Sequence, residues 1–143
     1  IDCVISDFIA GATETLSPDN DVNHWDIIEG QGSLSHAAFA GVSLGLLHGS
    51  QPDALVICHA LSREHMRGLN HYALPSIEQT IEMNLLHARL TNPLAKVVGV
   101  AVNTSSVDEQ QALLSCEQIS QRTGLPCVDP IRHGVTQLLE RLL

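Results

Sequence analysis

Short runs of β-branched and other apolar residues alternate along this chain with longer segments whose apolar residues recur every three or four positions. This alternation is typical of successive βα units, which build a mainly parallel sheet. The sequence therefore predicts one α/β domain of 143 residues, with helices on both faces of the sheet. Five runs are predicted as strands: residues 2–6, 25–28, 54–58, 96–102 and 126–128.

The segments between the predicted strands carry recognisable helix signals. One helix is predicted to begin near residues 33–35, and Gly41 and Gly45 lie inside it. A glycine inside a helix costs about 1 kcal/mol relative to alanine, so close packing against the sheet or a partner subunit is expected, with a bound ligand as the alternative. Three further helices are predicted: one from Ser76 to the Asn92-Pro93 step, one capped by Ser105 or Ser106 and ended by Gly124, and one over residues 135–143. Residues 17–24 and 60–74 are predicted to be irregular.

Composition excludes several classes of partner. With 7 basic and 16 acidic residues the net charge is -9, which argues against nucleic acid. No apolar run approaches the roughly 20 residues of a membrane span, and the start lacks a secretory pattern, so no membrane partner is expected. The four cysteines form no CxxC pair, which favours unpaired thiols and a cytoplasmic location.

The predicted topology places ligand-binding residues in a small set of loops. Ligands of an open parallel sheet bind beyond the carboxyl ends of its strands. The loops predicted to lie there contain Asp7 and residues 29–36, 59–63, 103–105 and 129–134.

Among these loops, the stretch "EGQGSLSH" has the clearest chemistry. A carboxylate that leaves a strand is followed by glycines and a helix start, an arrangement that favours an anion. Glu29 could act as a general base or hold a metal ion, and His36 could act as a base. The alternative is a tight turn with a solvated carboxylate and a histidine that only caps the helix. The backbone N–H groups available to a ligand belong to Gly30, Gln31, Gly32 and Ser33.

Other candidate residues carry weaker signals. Arg63 and Arg132 fall in loops at the predicted ligand end and suit a carboxylate or phosphate, although each could equally form a surface ion pair. His59, His65 and His71 lie six residues apart, but without HxxxH or CxxC spacing they favour a surface loop over a metal site. No GxxxxGK[ST] phosphate loop is present, since Lys96 is the only lysine.

Five stretches carry a resemblance to a known family: "ISDFIAGATE", "HWDIIEGQGSLSH", "GVSLGLLHGSQPDALVICH", "VVGVAVNTS" and "GLPCVDPIRHG". Together they resemble the carboxyl-terminal P-loop domain of the D-glutamate N-acetyltransferase-like family. More distantly, the glutamate-glycine strand exit and "VGVAVN" resemble the dethiobiotin synthetase branch of P-loop proteins. The resemblance implies a P-loop NTPase-like three-layer sandwich. It also implies that Glu29 lies near nucleotide phosphates and metal, and that Asn103 contacts the base.

The resemblance also implies a longer parent protein. Family members carry a Rossmann-like domain and a Walker A loop before the matching region, so the 143 residues are expected to be the latter, N-terminally incomplete part of the P-loop domain. The isolated chain is then expected to bind nucleotide or acetyl-CoA feebly, to be inactive alone, and to form a homo-oligomer. After "ICH", where the family is expected to show Glu-Pro, the chain reads "ALSREHMRG".

Three functions follow as hypotheses. The first is acetyl transfer from acetyl-CoA to the amino group of D-glutamate or a similar acidic amino acid. In it, Glu29 or His36 is the base, the backbone N–H groups of residues 30–33 are oxyanion donors, and Arg63 and Arg132 hold carboxylates or coenzyme phosphates. The second is an ATP-dependent ligase or kinase in which Asp7 and Glu29 hold magnesium. The third is a non-catalytic assembly module. The topology also predicts one pocket at the carboxyl end of the sheet, because six candidate residues all follow predicted parallel strands: Glu29, Gly30, Gly32, His36, Asn103 and Arg132.

Overall fold

The computed structural model describes residues 3–143, which form two compact units. The helical unit comprises the chain through Asp53 together with Met83–Ala95, and the sheet unit comprises Ala54–Glu82 with Lys96–Leu143. The helices are a 3-10 turn at Ser6–Phe8, α1 (Ile9–Leu16), α2 (Ala40–Ser50), α3 (Ile77–Ala88), α4 (Glu109–Thr123) and α5 (Thr136–Leu139). The strands are β1 (Ala54–Ala60), β2 (His65–Met66), β3 (Leu69–Ala73), β4 (Lys96–Asn103) and β5 (Cys127–Val128).

The sheet unit confirms the predicted α/β class. Strands β1, β4 and β5 pair in parallel in the order β1-β4-β5. The central strand β4 carries the core, because both of its faces are covered: Val98, Val100 and Val102 are almost completely buried on one face, and Gly99 is buried against Leu138 on the other. A continuous apolar run is what a strand buried on both faces requires.

Helices lie on both faces of this sheet, as predicted. The register pairs Val56 with Gly99 and His59 with Val102, so Gly99 and His59 point to opposite faces. On the Gly99 face, a Cβ at that position would overlap the side chain of Leu138, just before the end of α5. On the His59 face, His59 lines a cleft together with Ile119 of α4.

The helical unit is held by a close crossing of α1 and α2. A Cβ at Gly45 would lie 2.7 Å from Ile9 Cγ2, and one at Gly49 would lie 2.8 Å from Thr13 Cβ and overlap the carbonyl oxygen of Ala10. Packing therefore explains Gly45 and Gly49 of α2, but the contact is with α1 rather than with the sheet. Gly41 has open space around its Cα and takes no part in this contact.

Two of the five strand predictions are wrong in the described residues. In residues 3–8 the chain turns and forms the 3-10 turn, while Asp2 of that predicted strand lies outside the described residues. Residues 25–28 have no regular structure, and Ile27 is 95% exposed. Both runs have strand composition, but a strand also needs a neighbour for its backbone groups, and neither run is paired with one in residues 3–143.

Other element boundaries also differ from the predictions. The helix expected near residues 33–35 begins at Ala40, after a series of turns. Asp108, not Ser105 or Ser106, caps α4 by accepting a hydrogen bond from the Gln111 N–H at 2.8 Å. The final helix ends at Leu139, and residues 65–73 form an antiparallel hairpin with Gly68 at a positive φ of 77° rather than an irregular loop.

Several predictions are confirmed. Helix α3 ends before the Asn92-Pro93 step, and Gly124 ends α4 with a positive φ of 69°. All four cysteines are unpaired: Cys3 and Cys58 are exposed, and Cys116 and Cys127 are buried.

Among residues 3–143, none of the helices has the length and apolar character needed to cross a membrane.

Candidate functional site

The best-defined polar cluster lies at the carboxyl ends of β4 and β5. Thr104 follows β4 and Asp129 follows β5, and both residues are buried. One carboxylate oxygen of Asp129 accepts hydrogen bonds from the backbone N–H of Thr104, at 3.1 Å, and from its hydroxyl. The other oxygen accepts from the N–H groups of Ile131 at 2.9 Å and Arg132 at 3.2 Å. Asp129 thus ties the ends of two neighbouring strands to the loop that follows them.

These hydrogen bonds determine the ionisation of Asp129. Burial by itself raises the pKa of this carboxyl, but the bonds from Thr104, Arg132 and Ile131 outweigh it and hold the pKa at about 2. The carboxylate is therefore ionised at neutral pH. Its negative charge strengthens the hydrogen bonds that orient the loop after β5.

The same cluster fixes the guanidinium of Arg132. It donates to Glu109 Oε2 at 2.9 Å and to the carbonyl oxygen of Val107 at 2.8 Å, and its side chain is only 27% exposed. Glu109 also contacts His133, with 2.7 Å between Nε2 and Oε1. The bonds from His133 and then Arg132 lower the pKa of the Glu109 carboxyl. Arg132 thus lies at the expected end of the sheet as an oriented cation that already has protein partners.

Two further candidates lie at this end of the sheet. Asn103, the last residue of β4, accepts a hydrogen bond from the Ser105 N–H at 3.0 Å through Oδ1. Its side-chain NH₂ has no hydrogen-bond partner in the part of the chain that the structure describes, so it remains available to a ligand. Arg63 is exposed in the turn after β1, where its N–H donates to the Ala60 carbonyl oxygen at 3.1 Å.

The glycine-turn segment, residues 29–36, belongs to the helical unit. Glu29 and Gly30 are exposed, and a Cβ at Gly30 would meet nothing within 4 Å. The carbonyl oxygen of Gln31 accepts from the Ser43 hydroxyl, and Gly32 has a positive φ of 60° that favours glycine. The segment is therefore an ordered turn that leaves its first residues open to solvent.

His36 and Ser33 have local roles in this turn. The hydroxyl oxygen of Ser33 accepts a hydrogen bond from the Ser35 N–H at 3.2 Å. The buried His36 accepts one at Nδ1 from the Ala38 N–H at 3.1 Å, and its ring packs on Phe39 with 4.6 Å between ring centroids. These contacts match the local structural role that was the alternative to catalysis.

The two candidate metal ligands are both open to solvent. Asp7 is exposed on the 3-10 turn, and Glu29 is exposed as well. Nowhere in residues 3–143 do three or more His, Cys, Asp or Glu side chains come together as a group that could hold a metal ion. A magnesium ion shared with nucleotide phosphates needs only one or two carboxylates, so magnesium binding by Asp7 and Glu29 stays a prediction.

The predicted common pocket combines residues of both units. Glu29, Gly30, Gly32 and His36 lie in the helical unit, whereas Asn103 and Arg132 lie in the sheet unit. That these six residues line one pocket stays a prediction.

Comparison with known proteins decides the family. Residues 1–139 match the family described as "Domain of unknown function (DUF1611_C) P-loop domain". This chain belongs to the DUF1611 family. A crystal structure of a DUF1611 family protein from Anabaena variabilis is similar to it with a TM-score of 0.87 and 36% identity, covering 99% of this chain and 42% of that one. The α/β fold of this DUF1611 chain is thus shared with a solved structure.

Curated relatives carry a name that states an activity. A D-glutamate N-acetyltransferase of a Pseudoalteromonas species is 68% identical over 142 residues, which are 99% of this chain and 43% of the relative. A D-glutamate N-acetyltransferase of Tritonibacter scottomollicae is 49% identical over the same length and coverage. The DUF1611 chain therefore spans less than half the length of the relatives it matches. The resemblance of the sequence to the D-glutamate N-acetyltransferase-like family is confirmed.

Sequence reasoning missed two features of this DUF1611 domain. Asp129 was placed in a ligand-side loop but not among the site residues, although a carboxylate directly after a buried strand is a usable signal. His59 and Arg122 line one cleft, and no sequence pattern links them because β1 and α4 meet only in the fold. Elsewhere, the ring centroids of His48 and His87 in the helical unit lie 6.2 Å apart, and each ring has one buried nitrogen that finds no hydrogen-bond partner among residues 3–143.

Proposed function

We propose that this chain is one domain of a longer N-acetyltransferase that moves an acetyl group from acetyl-CoA to the amino group of D-glutamate. The observation that carries the proposal is the 68% identity to a D-glutamate N-acetyltransferase across 99% of this chain. The match runs through the candidate loops as well as the core. Because the chain covers 43% of that relative, the complete activity is proposed for the longer protein only.

The reaction sets three chemical requirements. A base takes a proton from the substrate ammonium, hydrogen-bond donors stabilise the oxyanion that forms at the thioester carbonyl, and cations bind the substrate carboxylates and the coenzyme phosphates. We assign the donors to the backbone N–H groups of residues 30–33 and the binding of coenzyme phosphates to Arg132. Arg132 is supported by its anchoring, because a guanidinium already held by Glu109 and Val107 loses little entropy on binding an anion.

The base is assigned to Glu29 in preference to His36. Glu29 is exposed, whereas Nδ1 of His36 accepts the Ala38 N–H, and its ring is buried against Phe39. Arg63, exposed after β1, is proposed to contact the coenzyme phosphates, and Asn103 offers its free side-chain NH₂ to the coenzyme base. The proposed location is cytoplasmic and the proposed assembly is a homo-oligomer.

The test uses a protein of the relatives' full length that contains this chain. Incubation with acetyl-CoA and D-glutamate should yield N-acetyl-D-glutamate, identified by mass spectrometry, together with free CoA thiol in equal amount. L-glutamate serves as the stereochemical control. ATP with magnesium replaces acetyl-CoA in a parallel reaction. Absence of the N-acetyl product with acetyl-CoA, or product formation that depends on ATP, would overturn the proposal.

A further inference from the structure

A cleft of about 320 Å³ opens within the sheet unit, between the end of β1 and the helices on that face. Its apolar wall is formed by Leu61, Ile77 and Ile119, and its polar wall includes His59 and Arg122. Small-molecule sites combine an apolar lining with a few polar groups, and their volumes begin at about 300 Å³. The cleft therefore has the size and composition of a site for a molecule no larger than an amino acid.

Arg122 brings an available cation to this cleft. Its Nε lies 3.5 Å from Glu78 Oε1, but the two side chains are 61% and 42% exposed, so the pair is weak. The two terminal nitrogens of the guanidinium have no hydrogen-bond partner among residues 3–143. These two nitrogens form the planar fork that matches both oxygens of a carboxylate.

His59 brings a hydrogen-bonding ring with unused capacity. It is the next-to-last residue of β1, is half-buried, and neither ring nitrogen makes a hydrogen bond within the described part of the chain. Burial, and then the charge of Arg122, lowers the pKa of this imidazole. The ring is therefore neutral at pH 7, with one N–H and one lone pair. A lone pair beside a guanidinium suits a ligand that carries a donor next to its carboxylate.

We infer that this cleft is the pocket for the amino-acid acceptor. Arg122 binds its α-carboxylate through the two terminal nitrogens, His59 accepts a hydrogen bond from its ammonium group, and Leu61, Ile77 and Ile119 contact its carbon chain. The choice of acceptor rests on the proposed function. The pairing of a carboxylate-binding fork with a neutral acceptor is what distinguishes an α-amino acid from a simple anion.

Binding can be measured without turnover in the full-length protein. D-glutamate is titrated while the ring signals of His59 are followed by NMR, with an Arg122→Gln variant beside an Arg141→Gln control that removes an exposed arginine elsewhere. We expect the His59 signals to shift in the wild type and the Kd to rise at least tenfold in Arg122→Gln only, because a charge-assisted pair is lost. Arg122→Lys, which keeps the charge without the fork, should show an intermediate loss and covers the case in which Arg122→Gln fails to fold.

Two further comparisons test each half of the pocket. Glu78→Gln removes a competing carboxylate and should tighten D-glutamate binding severalfold, whereas Glu82→Gln on the exposed side of α3 should not. Glutarate, which has the carboxylates but no ammonium, should bind at least tenfold more weakly than D-glutamate to the wild type. In His59→Leu the two ligands should bind alike.

The inference is overturned if D-glutamate leaves the His59 signals unshifted, if Arg122→Gln weakens binding no more than Arg141→Gln, or if glutarate binds as tightly as D-glutamate. These outcomes are separate from the fate of the proposed function. A wild type that binds D-glutamate in this cleft but makes no N-acetyl product overturns the reaction and keeps the site. A wild type that makes the product but fails the binding tests overturns the site alone.

Discussion

The glycine-turn segment of residues 29–36 and the Thr104–Asp129 cluster differ in what explains their sequences. Gly30 has open space around it and Glu29 is solvent-exposed, so packing gives no reason for either residue. Thr104 is 0% and Asp129 is 4% exposed, and every oxygen of the Asp129 carboxylate accepts hydrogen bonds. Substitutions in the cluster therefore test folding, whereas substitutions at the open end of the turn test the proposed function.

The largest effect is expected from Asp129→Ala. The change leaves the N–H groups of Thr104, Ile131 and Arg132 without their acceptor and should lower the free energy of unfolding by about 3–5 kcal/mol. Urea denaturation measures it. Asp21→Ala, in an exposed loop, is the matched control and should stay within about 0.5 kcal/mol. Equal losses for the two variants would contradict the structural role of the cluster.

The second largest loss of stability is expected from Gly49→Ala, because α1 and α2 of the helical unit are also tightly packed at this position. The added methyl group overlaps the Ala10 carbonyl oxygen and approaches Thr13, so unfolding should become easier by up to about 3 kcal/mol. Gly11→Ala in α1 has open space and should instead stabilise the protein by up to about 1 kcal/mol. Thermal unfolding of both variants gives the difference, and a stabilised Gly49→Ala would show that α1 and α2 do not cross closely.

Low pH should reduce the stability of the protein, because protonation of the Asp129 carboxylate weakens the hydrogen bonds of the cluster. The pKa of Asp129 is about 2 in the folded state and 3.8 by reference, so the unfolded state binds the proton first as the pH falls. The stabilisation is complete above pH 4 and is lost as the pH drops from 4 to 2, a change of about 1–2 kcal/mol after allowance for solvent screening. Asparagine does not titrate, so the free energy of unfolding of Asp129→Asn, measured by urea denaturation, should fall less than that of the wild type between pH 4 and pH 2. Identical pH profiles would refute the assignment.

The smallest effects on stability are expected in the glycine turn. Gly32 has a backbone conformation that favours glycine, whereas Gly30 belongs to the proposed site, so the two substitutions have different expected effects. Gly32→Ala forces an L-residue to a φ of 60° with its Cβ 2.8 Å from Phe39 Cβ, which should cost about 1–2 kcal/mol. Gly30→Ala should change stability by less than about 0.5 kcal/mol. In the full-length protein Gly30→Ala should nevertheless lower kcat/KM at least tenfold for acetyl transfer. Full activity in Gly30→Ala would remove the turn from the proposed site.

The sequence predicted the fold best where one segment carried several concordant signals. The apolar run of β4 is buried on both faces, and α4 has both a capping carboxylate and a terminal glycine. Residues 25–28 have strand composition but no partner, because composition does not show which backbone groups will be paired. The hairpin over residues 65–73 was missed because its first strand has only two residues, too few for a periodic pattern.

Candidate site residues divide in a similar way. The loops after β4 and β5 were correctly placed at one end of the sheet, since the order of parallel strands dictates where their carboxyl ends lie. What the residues do there depends on partners distant in the chain. Arg132 could not be recognised as anchored until Glu109 and Val107 were seen beside it. The same holds for His59 and Arg122, which share a cleft although one lies in a strand and the other in a helix.

A register shift between β1 and β4 makes chain length, rather than side-chain type, decide what His59 faces. Leu55 pairs with Val97 but Val56 pairs with Gly99, so β4 contains one additional residue, Val98, at that point. In a register without this shift, Val56 would pair with Val98 and His59 with Ala101, and His59 would share a face with Gly99. The shift therefore places the imidazole on the face that α4 covers. Apolar residues can replace one another in β1 and β4 at modest cost, but insertion or deletion of one residue between Val56 and His59, or between Gly99 and Val102, would move the residues that follow it to the opposite face.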